Sequence, residues 1–329
     1  MKILVCGGAG YIGSHVVEAL LEKNFQVVVL DNLSTGHRKA VPAAACFEEG
    51  DIKNLDFLMR LFKKHKIDGV MHFCANSLVG ESMEKPILYY ENNVAGTLNL
   101  LKAMVENNVL KFIFSSTAAV YGQPETLPIT EETFKKPTNT YGETKLAVEK
   151  MLPWFEGAYG LRFMVFRYFN AAGASTSKKI GEDHTPETHL IPLVLKTALG
   201  LRENISIFGT DYNTEDGTCI RDYIHVMDIA SAHILGMEKL IGGGTSDIFN
   251  LGQGQGFSVR QIIEKSKATT KIDFAIEEAS RRAGDPAVLI AEASKAKKQL
   301  GWEPQHSDIE TIIKTAWEWH ENHPQGYED

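Results

Sequence analysis

The sequence predicts an α/β protein built on a doubly wound parallel sheet, with a smaller α/β domain at its C-terminal end. Three observations predict it. Strand-like runs alternate with amphipathic helical patterns through the first half of the 329-residue chain. The first run opens directly into a dense glycine turn, VCGGAGYIG (5–13). After about Ala172 the alternation loosens into Gly- and Pro-containing loops and shorter elements.

Ile3–Val5 forms the first run. Beyond the turn, Ile12, Val16 and Leu20 recur at i, i+4 and i+8, with Val17 and Leu21 beside them, which is a helical face. Gly8-x-Gly10-x-x-Gly13 therefore lies at a strand-to-helix turn, the context in which that spacing carries meaning. Glycines there permit a tight turn, close approach of a pyrophosphate and close helix–strand packing, while the helix N-terminus faces the negative charge. The next strand, Gln26–Leu30, ends in Asp31, 18 residues beyond Gly13. A carboxylate there accepts bonds from a ribose 2′-OH and repels a 2′-phosphate, so the expected cofactor is NAD rather than NADP.

Strand runs follow at Val70–Phe73, Phe112–Ser115 and Phe163–Tyr168, with helical patterns around Leu55–Lys64, Tyr90–Val105 and Tyr141–Phe155. This order is Rossmann-like and puts ligands beyond the carboxyl ends of the strands. The reading assigns residues 1–171 to an NAD-binding domain and 172–329 to a substrate-binding domain. Val226–Met237 and Ile248–Leu251 are expected to return to the first sheet.

Composition narrows the class. A hydrophobic content of 43% and a charged content of 23% are ordinary for a globular protein. A net charge of −8 argues against a nucleic-acid partner, although it permits a local basic pocket. Cys6, Cys46, Cys74 and Cys219 form no CxxC pair and no zinc spacing, so thiols in a reducing compartment and no metal are expected. The first strand leaves no room for a signal peptide, and no apolar run reaches the ~18 residues of a membrane span. The expected location is the cytoplasm, with no membrane partner.

The chemistry gathers around FIFSSTAAVYG (112–122), where a strand delivers Ser115, Ser116 and Thr117 to the sheet's carboxyl edge. Farther on, Tyr141-Gly-Glu-Thr-Lys145 puts a phenol and an ammonium at i, i+4 on one helix face. A phenol of pKa ~10 is almost wholly protonated at neutral pH. A nearby ammonium and a positively charged nicotinamide both favour phenolate, and bringing the pKa to ~7 takes roughly 4 kcal/mol. Tyr141 then accepts a hydroxyl proton as hydride leaves the same carbon, with Thr117 bridging hydroxyl and phenol. Lys145 also holds the nicotinamide ribose in this reading.

GGAGYIGSH, DNLSTGH, the SSTAAVYG strand end and YGETK resemble the extended short-chain dehydrogenase/reductase family. VGESMEKPILYYENNVAGT, RYFNAAGA, GEDH, YNTEDGTCIRDYIHVMDIA, NLG, RRAGDPA and HPQGY narrow the resemblance to members acting on nucleotide sugars. Three positions depart from the pattern: Cys6 where Thr is frequent, Ser77 where some relatives carry Lys, and Thr117 in place of a common Ser.

The resemblance implies that Gly7, Gly10, Tyr11, Ile12 and Gly13 line the pyrophosphate loop. It implies that Asp31, Asn32, Ser34, Thr35 and Gly36 hold adenosine, with Asp51 and Ile52 at the adenine ring. Phe73, Cys74, Asn92, Ser115 and Tyr168 would lead toward the nicotinamide. For a nucleotide sugar it implies Asn170, His189, Leu190, Ile207 and Phe208 as the diphosphate and uracil wall. Arg221 and Arg282 with Asp285 then form the clamp, Tyr223 is a further substrate-binding residue, and Leu289 stands beside the sugar's 2-position. The implied activity is reversible C4 inversion of UDP-glucose and UDP-galactose through a 4-keto sugar with tightly bound NAD. UDP-N-acetylhexosamines are expected as weaker substrates, and the assembly as a homodimer through the Tyr90–Val105 and Tyr141–Phe155 patterns. Two alternatives stand beside this activity. A nucleotide-sugar 4,6-dehydratase would need Asp-Glu where this chain has Ala118 and Ala119, and a nonenzymatic NAD-binding regulator should have lost part of the Thr/Tyr/Lys set.

Overall fold

The computed structural model describes residues 1–282 and 285–328. Six strands and the helices between them come first: β1 (Lys2–Cys6), α1 (Tyr11–Glu22), β2 (Gln26–Asp31), β3 (Cys46–Glu49), α2 (Leu55–His65), β4 (Gly69–His72), α3 (Val79–Glu84), α4 (Pro86–Tyr89), α5 (Thr97–Glu106), β5 (Lys111–Thr117), α6 (Thr140–Tyr159) and β6 (Arg162–Tyr168). The chain then builds β7 (Asn170–Ala172), α7 (Leu190–Ala198), β8 (Asn204–Phe208), β9 (Ile220–His225), α8 (Val226–Ile241) and β10 (Asp247–Leu251). It ends with β11 (Gly256–Ser258), α9 (Val259–Thr270), β12 (Ala275–Ala279), β13 (Val288–Leu289), α10 (Ser294–Leu300) and α11 (Ile309–Asn322).

The main sheet has seven parallel strands in the order β10-β6-β5-β4-β1-β2-β3. Its central strands are apolar on both sides because helices cover both faces. Val16, Val17 and Leu20 of α1 share one face with Ile229 and Met237 of α8, and α2, α5 and α6 bury Leu58, Leu100, Leu101 and Val148 on the other. The segments 226–237 and 248–251 are thus part of this layer structure, through α8 and β10. A second sheet joins β11, β9 and β13 with β7, and β8 pairs with β12; α7, α9 and α11 enclose a separate core around Ile191, Ile262 and Ile312.

The Tyr90–Val105 pattern does not form one α-helix. Tyr90–Gly96 winds as a π-helix before α5 begins. The wider turn lets buried Asn93 reach across: its Oδ1 accepts from the Asn76 amide at 2.9 Å and its Nδ2 donates to Thr144 Oγ1 at 3.0 Å. Periodicity alone does not register that one-residue widening.

Two buried histidines give the fold an acid limit. His225 accepts from the Met227 amide through Nδ1 and faces Thr315 through Nε2, while His233 sits among Phe73, Phe166 and Tyr168. Burial lowers their pKa values to about 3 and about 4, helped at His225 by the neighbouring charges of His306 and His15. Unfolded, both take up protons near pH 6.5, so their contribution to stability is present above that pH and lost as pH falls toward 4. Each is expected to cost about 1.4 kcal/mol per pH unit over that window. Urea unfolding at pH 6.5 and pH 4.5 checks this, and His233→Phe should flatten the dependence.

Candidate active site

β1, β2 and β4 end side by side, where the strand order turns from β1 outward in both directions. Such a switch point opens a crevice at the carboxyl edge of a doubly wound sheet. The cleft here has about 530 Å³ of empty space and is lined by Gly7, Gly10, Asp31, Asn32, Ser34, Thr35, Gly36, Asp51, Ile52, Phe73, Cys74 and Asn92. Twelve sequence-expected cofactor residues converge there, joined by Leu30, Gly50, Ala75 and Asn76, which sequence reasoning did not single out.

The glycines divide their work. Gly7 has φ +79° and a Cβ on it would lie 2.5 Å from the Cys74 amide nitrogen. A Cβ on Gly13 would lie 2.0 Å from the Gly7 carbonyl, and one on Gly8 would strike Val29. These three serve the chain's own turn and packing. Gly10 differs: a Cβ there meets nothing nearer than the Gly7 carbonyl at 3.5 Å. Its bareness makes room for something outside the chain. Gly10 also leaves α1 without a side-chain cap, so the first amides of the helix, those of Tyr11 and Ile12 among them, suit an anion. Their side chains turn elsewhere. Tyr11 donates its phenol to the Gly173 carbonyl at 2.6 Å, and Ile12 packs on the core beneath the sheet.

Asp31 is buried at the end of β2. It accepts from the Ala9 amide and the Leu33 amide, each at 2.9 Å, bracing the glycine turn while lining the cleft. Burial raises its pKa, and the amide bonds oppose that rise. Each oxygen keeps a second lone pair for a ribose hydroxyl. Asn32 donates to Asp51 Oδ2 at 3.1 Å and accepts from the Ser34 amide, fixing the turn that carries Thr35 and Gly36. These residues fit the adenosine half of a dinucleotide, with an uncapped helix end for its pyrophosphate.

Beyond Phe73 and Cys74 the cleft meets α6. Asn139 caps that helix by accepting from the Gly142 amide at 2.8 Å, which presents Tyr141 in the first turn. The Thr117 hydroxyl, at the end of β5, faces the Tyr141 phenol and works to lower its pKa. Burial outweighs that and pushes Tyr141 up to about 12. Lys145 is 2% exposed, its Nζ 4.6 Å from the Phe114 ring centre, and burial pushes it down to about 8 against the pull of Cys74 and Glu149. The expectation that the chain's own ammonium lowers the phenol is corrected: the protein alone holds Tyr141 protonated, and bound positive charge is left to favour phenolate. Ser115 and Tyr168 share a short hydroxyl–hydroxyl bond in neighbouring strands, beneath that site.

Sequence reasoning passed over Glu149 and Arg167. Glu149 continues the Tyr141–Lys145 face at i+8, and Arg167 interrupts the apolar run FMVFRY, so both signals were present. Their side chains are 3% exposed and joined at 2.5 Å. Ser116 donates to Glu149, and Arg167 donates to the Tyr121 phenol at 2.8 Å.

On the C-terminal side, Arg221 and Arg282 close on one carboxylate. Arg282 Nε donates to Asp285 Oδ2 at 3.0 Å, and Arg221 Nη2 lies 3.6 Å from Oδ1. The Arg282 guanidinium stands 5.1 Å from the Phe208 ring centre. Asn170 opens β7 opposite Tyr223, and Leu289 stands opposite Arg221, packed on the Val120, Tyr121 and Leu146 cluster. Two expected substrate-binding residues, Ile207 of the wall and Tyr223, turn their side chains inward. Ile207 lies in the core with Val194 and Ile263, because strand alternation turns it inward when Phe208 points out. Tyr223 is buried with Ala172 and Leu195. His189 begins α7 and commits Nδ1 to Glu187 at 2.9 Å, while Leu190 packs partly into the C-terminal core. Part of the expected RRAGDPA motif, Ala283–Gly284, lies outside the described residues.

The parallel sheet, its glycine turn and the Thr117–Tyr141–Lys145 set define an extended short-chain dehydrogenase/reductase. Residues 4–315 match the GDP-mannose 4,6 dehydratase family, and the chain belongs to it. Within it, the chain is similar to the UDP-glucose 4-epimerase of Halalkalibacterium halodurans, at 57% identity over 99% of this chain and 98% of that protein. A crystal structure of UDP-glucose 4-epimerase superposes with TM-score 0.98 at 57% identity and full coverage of both chains. The Bifidobacterium longum UDP-glucose 4-epimerase, solved with NAD+ and UDP, superposes with TM-score 0.92 at 37% identity, covering 99% of this chain and 100% of that one. Among the described residues, no helix is long and apolar enough to cross a membrane.

Proposed function

We propose that this protein interconverts UDP-glucose and UDP-galactose with NAD held in the cleft between Gly7 and Asn92. The observation that carries the reading is the Thr117–Tyr141 pair at the carboxyl edge of β5, in a chain that also builds that cleft and the Arg221–Arg282–Asp285 clamp. When bound, NAD supplies reversible hydride acceptance. Tyr141 receives the proton of the sugar's 4-hydroxyl and later returns it, and Thr117 orients that hydroxyl toward the phenol. Arg221 and Arg282 hold the UDP diphosphate, for which a planar, permanently charged fork is suited, and release Asp285 to the uridine ribose. Anchoring by UDP leaves the 4-keto sugar free to turn over and present its other face. The chain's relatives named UDP-glucose 4-epimerase support this, as does the NAD and UDP of the Bifidobacterium longum structure. The dehydratase alternative lacks its acid and base, since Ala118 and Ala119 follow Thr117 directly. Purified protein should carry NAD and convert UDP-galactose to UDP-glucose in a coupled assay. Protein that holds NAD yet leaves both sugars unchanged would refute the reading.

Leu289 tunes substrate breadth in this reading. Leu289→Tyr is expected to lower activity on UDP-N-acetylglucosamine relative to UDP-glucose by ~10-fold or more, by filling space beside the sugar's 2-position. An unchanged ratio means that Leu289 serves only the Val120–Leu146 cluster.

We also propose a homodimer. Ile87 is 72% exposed, Leu98 44% and Trp154 80%, on α4, α5 and α6, and such apolar exposure suits a partner surface. Ile87→Arg with Leu98→Arg should convert a dimer to a monomer in sedimentation equilibrium. Equal masses before and after would refute this interface.

A further inference from the structure

Between β7 and α7 the chain reads GEDHTPETH (181–189), and the loop folds back on itself. Glu182, His184, Glu187 and His189 each contribute a donor atom, all within 4.8 Å of one another. His184 Nδ1 lies 3.4 Å from Glu182 Oε1 and 3.4 Å from Glu187 Oε2. His189 Nδ1 lies 2.9 Å from Glu182 Oε1 and 2.9 Å from Glu187 Oε1.

Hydrogen bonding accounts for only part of the group: Glu187 Oε1 accepts from the Thr188 and His189 amides at 2.7 and 2.8 Å and pairs with His189 Nδ1. Glu182 is 4% exposed, and its Oε1, like His184 Nδ1 and Glu187 Oε2, is shut off from solvent and meets only the imidazoles and carboxylates of this group. Buried polar atoms without partners are costly and rare. A cation at the centre would satisfy all of them at once. Donors 2.0–2.1 Å from a tetrahedral zinc stand about 3.4 Å apart; His184 Nδ1 keeps that separation from both carboxylates, and His189 Nδ1, now 2.9 Å from each, would move outward by about 0.5 Å.

We infer that Glu182, His184, Glu187 and His189 form a structural divalent-metal site, suited to Zn²⁺. Two imidazoles and two carboxylates match zinc's ligand preferences, and four protein ligands close the shell, as structural sites require. The surrounding chain is already fixed. The Glu182 carbonyl accepts from Trp319 Nε1 at 3.3 Å, the Tyr327 amide donates to Asp183 at 2.9 Å, and the Tyr11 ring meets His184 edge-on at 6.1 Å. The metal clips the start of α7 and the loop before it against the N-terminal turn of α1. A search of cysteine spacing does not reveal such a site, because none of its ligands is a cysteine.

The test is a metal count. Chelator-stripped full-length protein is incubated with Zn²⁺, freed of excess by gel filtration and analysed by atomic emission. One zinc per chain is expected, falling to near zero in His184→Ala. Cys46→Ser should retain it, which separates this site from the Cys46–Glu48–His65 group, where Lys64 already pairs with Glu48 at 2.7 Å. Cobalt in place of zinc should give the intense visible absorption of a tetrahedral ion in the wild type and lose it in His184→Ala. Wild-type protein holding well under one zinc overturns the inference whether or not the variant folds. So does a count unchanged in His184→Ala.

Discussion

Tyr141→Phe is expected to lower kcat for UDP-galactose by ~10²–10⁴-fold while leaving the fold and the bound NAD in place. The substitution removes one oxygen and keeps the ring, so packing around the cleft is preserved. What disappears is the group that exchanges a proton with the 4-hydroxyl. The neighbouring groups among the described residues are poor substitutes: Thr117 is a hydroxyl with no means of holding the proton, the buried Tyr168 phenol is paired with Ser115, and buried Lys145 stands against Phe114, beside Cys74 and Glu149. The raised phenol, about 12 in the protein alone, makes the assignment more demanding. Phenolate must be favoured by the positive nicotinamide ring, so the apparent pKa of the step should be lower with NAD bound than in the free protein. Steady-state kinetics with bound NAD measured after denaturation provide the check. More than about a tenth of wild-type kcat remaining, well above the loss expected for a general base, would sink the role given to Tyr141.

Arg167→Met should destabilise the fold by ~3–5 kcal/mol, because it leaves the Glu149 carboxylate buried without its partner. The pair binds through two points of the guanidinium, Nε to Oε1 at 3.0 Å and Nη2 to Oε2 at 2.5 Å. The connection extends well past the pair. Tyr121 passes from Arg167 to Asn250 Oδ1 at 2.6 Å, and Asn250 Nδ2 reaches the Ile129 carbonyl at 3.0 Å. One network therefore ties α6, β5, β6 and β10 together beneath the catalytic residues. Combining Arg167→Met with Glu149→Leu should recover much of the loss, since the penalty lies in the unpaired charge more than in the missing attraction. Denaturant unfolding of the two single variants and the double variant gives the cycle. Losses that simply add would show that Arg167 and Glu149 act independently.

The sequence by itself determined the layer order, the glycine turn and the chemical set. These depend on near neighbours: alternating apolar periods name strands and helices, glycine spacing names a turn, and an i, i+4 pair names a helix face. Asp31, Thr117, Tyr141 and the two arginines are legible on those grounds or by resemblance; Asp31 lines the cleft, Thr117 faces Tyr141, and the two arginines share Asp285. Only the tertiary structure decided what each side chain meets. Ile207 and Phe208 are adjacent in sequence, yet strand pairing sends one into the core and the other beneath Arg282. Asn93 becomes a tie between the Asn76 loop and α6 because seven residues wind as a π-helix. The phenol rises although an ammonium stands four residues on, because desolvation depends on everything packed around a group. Periodicity records which face a residue occupies; burial, charge balance and pairing arise from contacts between residues far apart in the chain, and only folding supplies those.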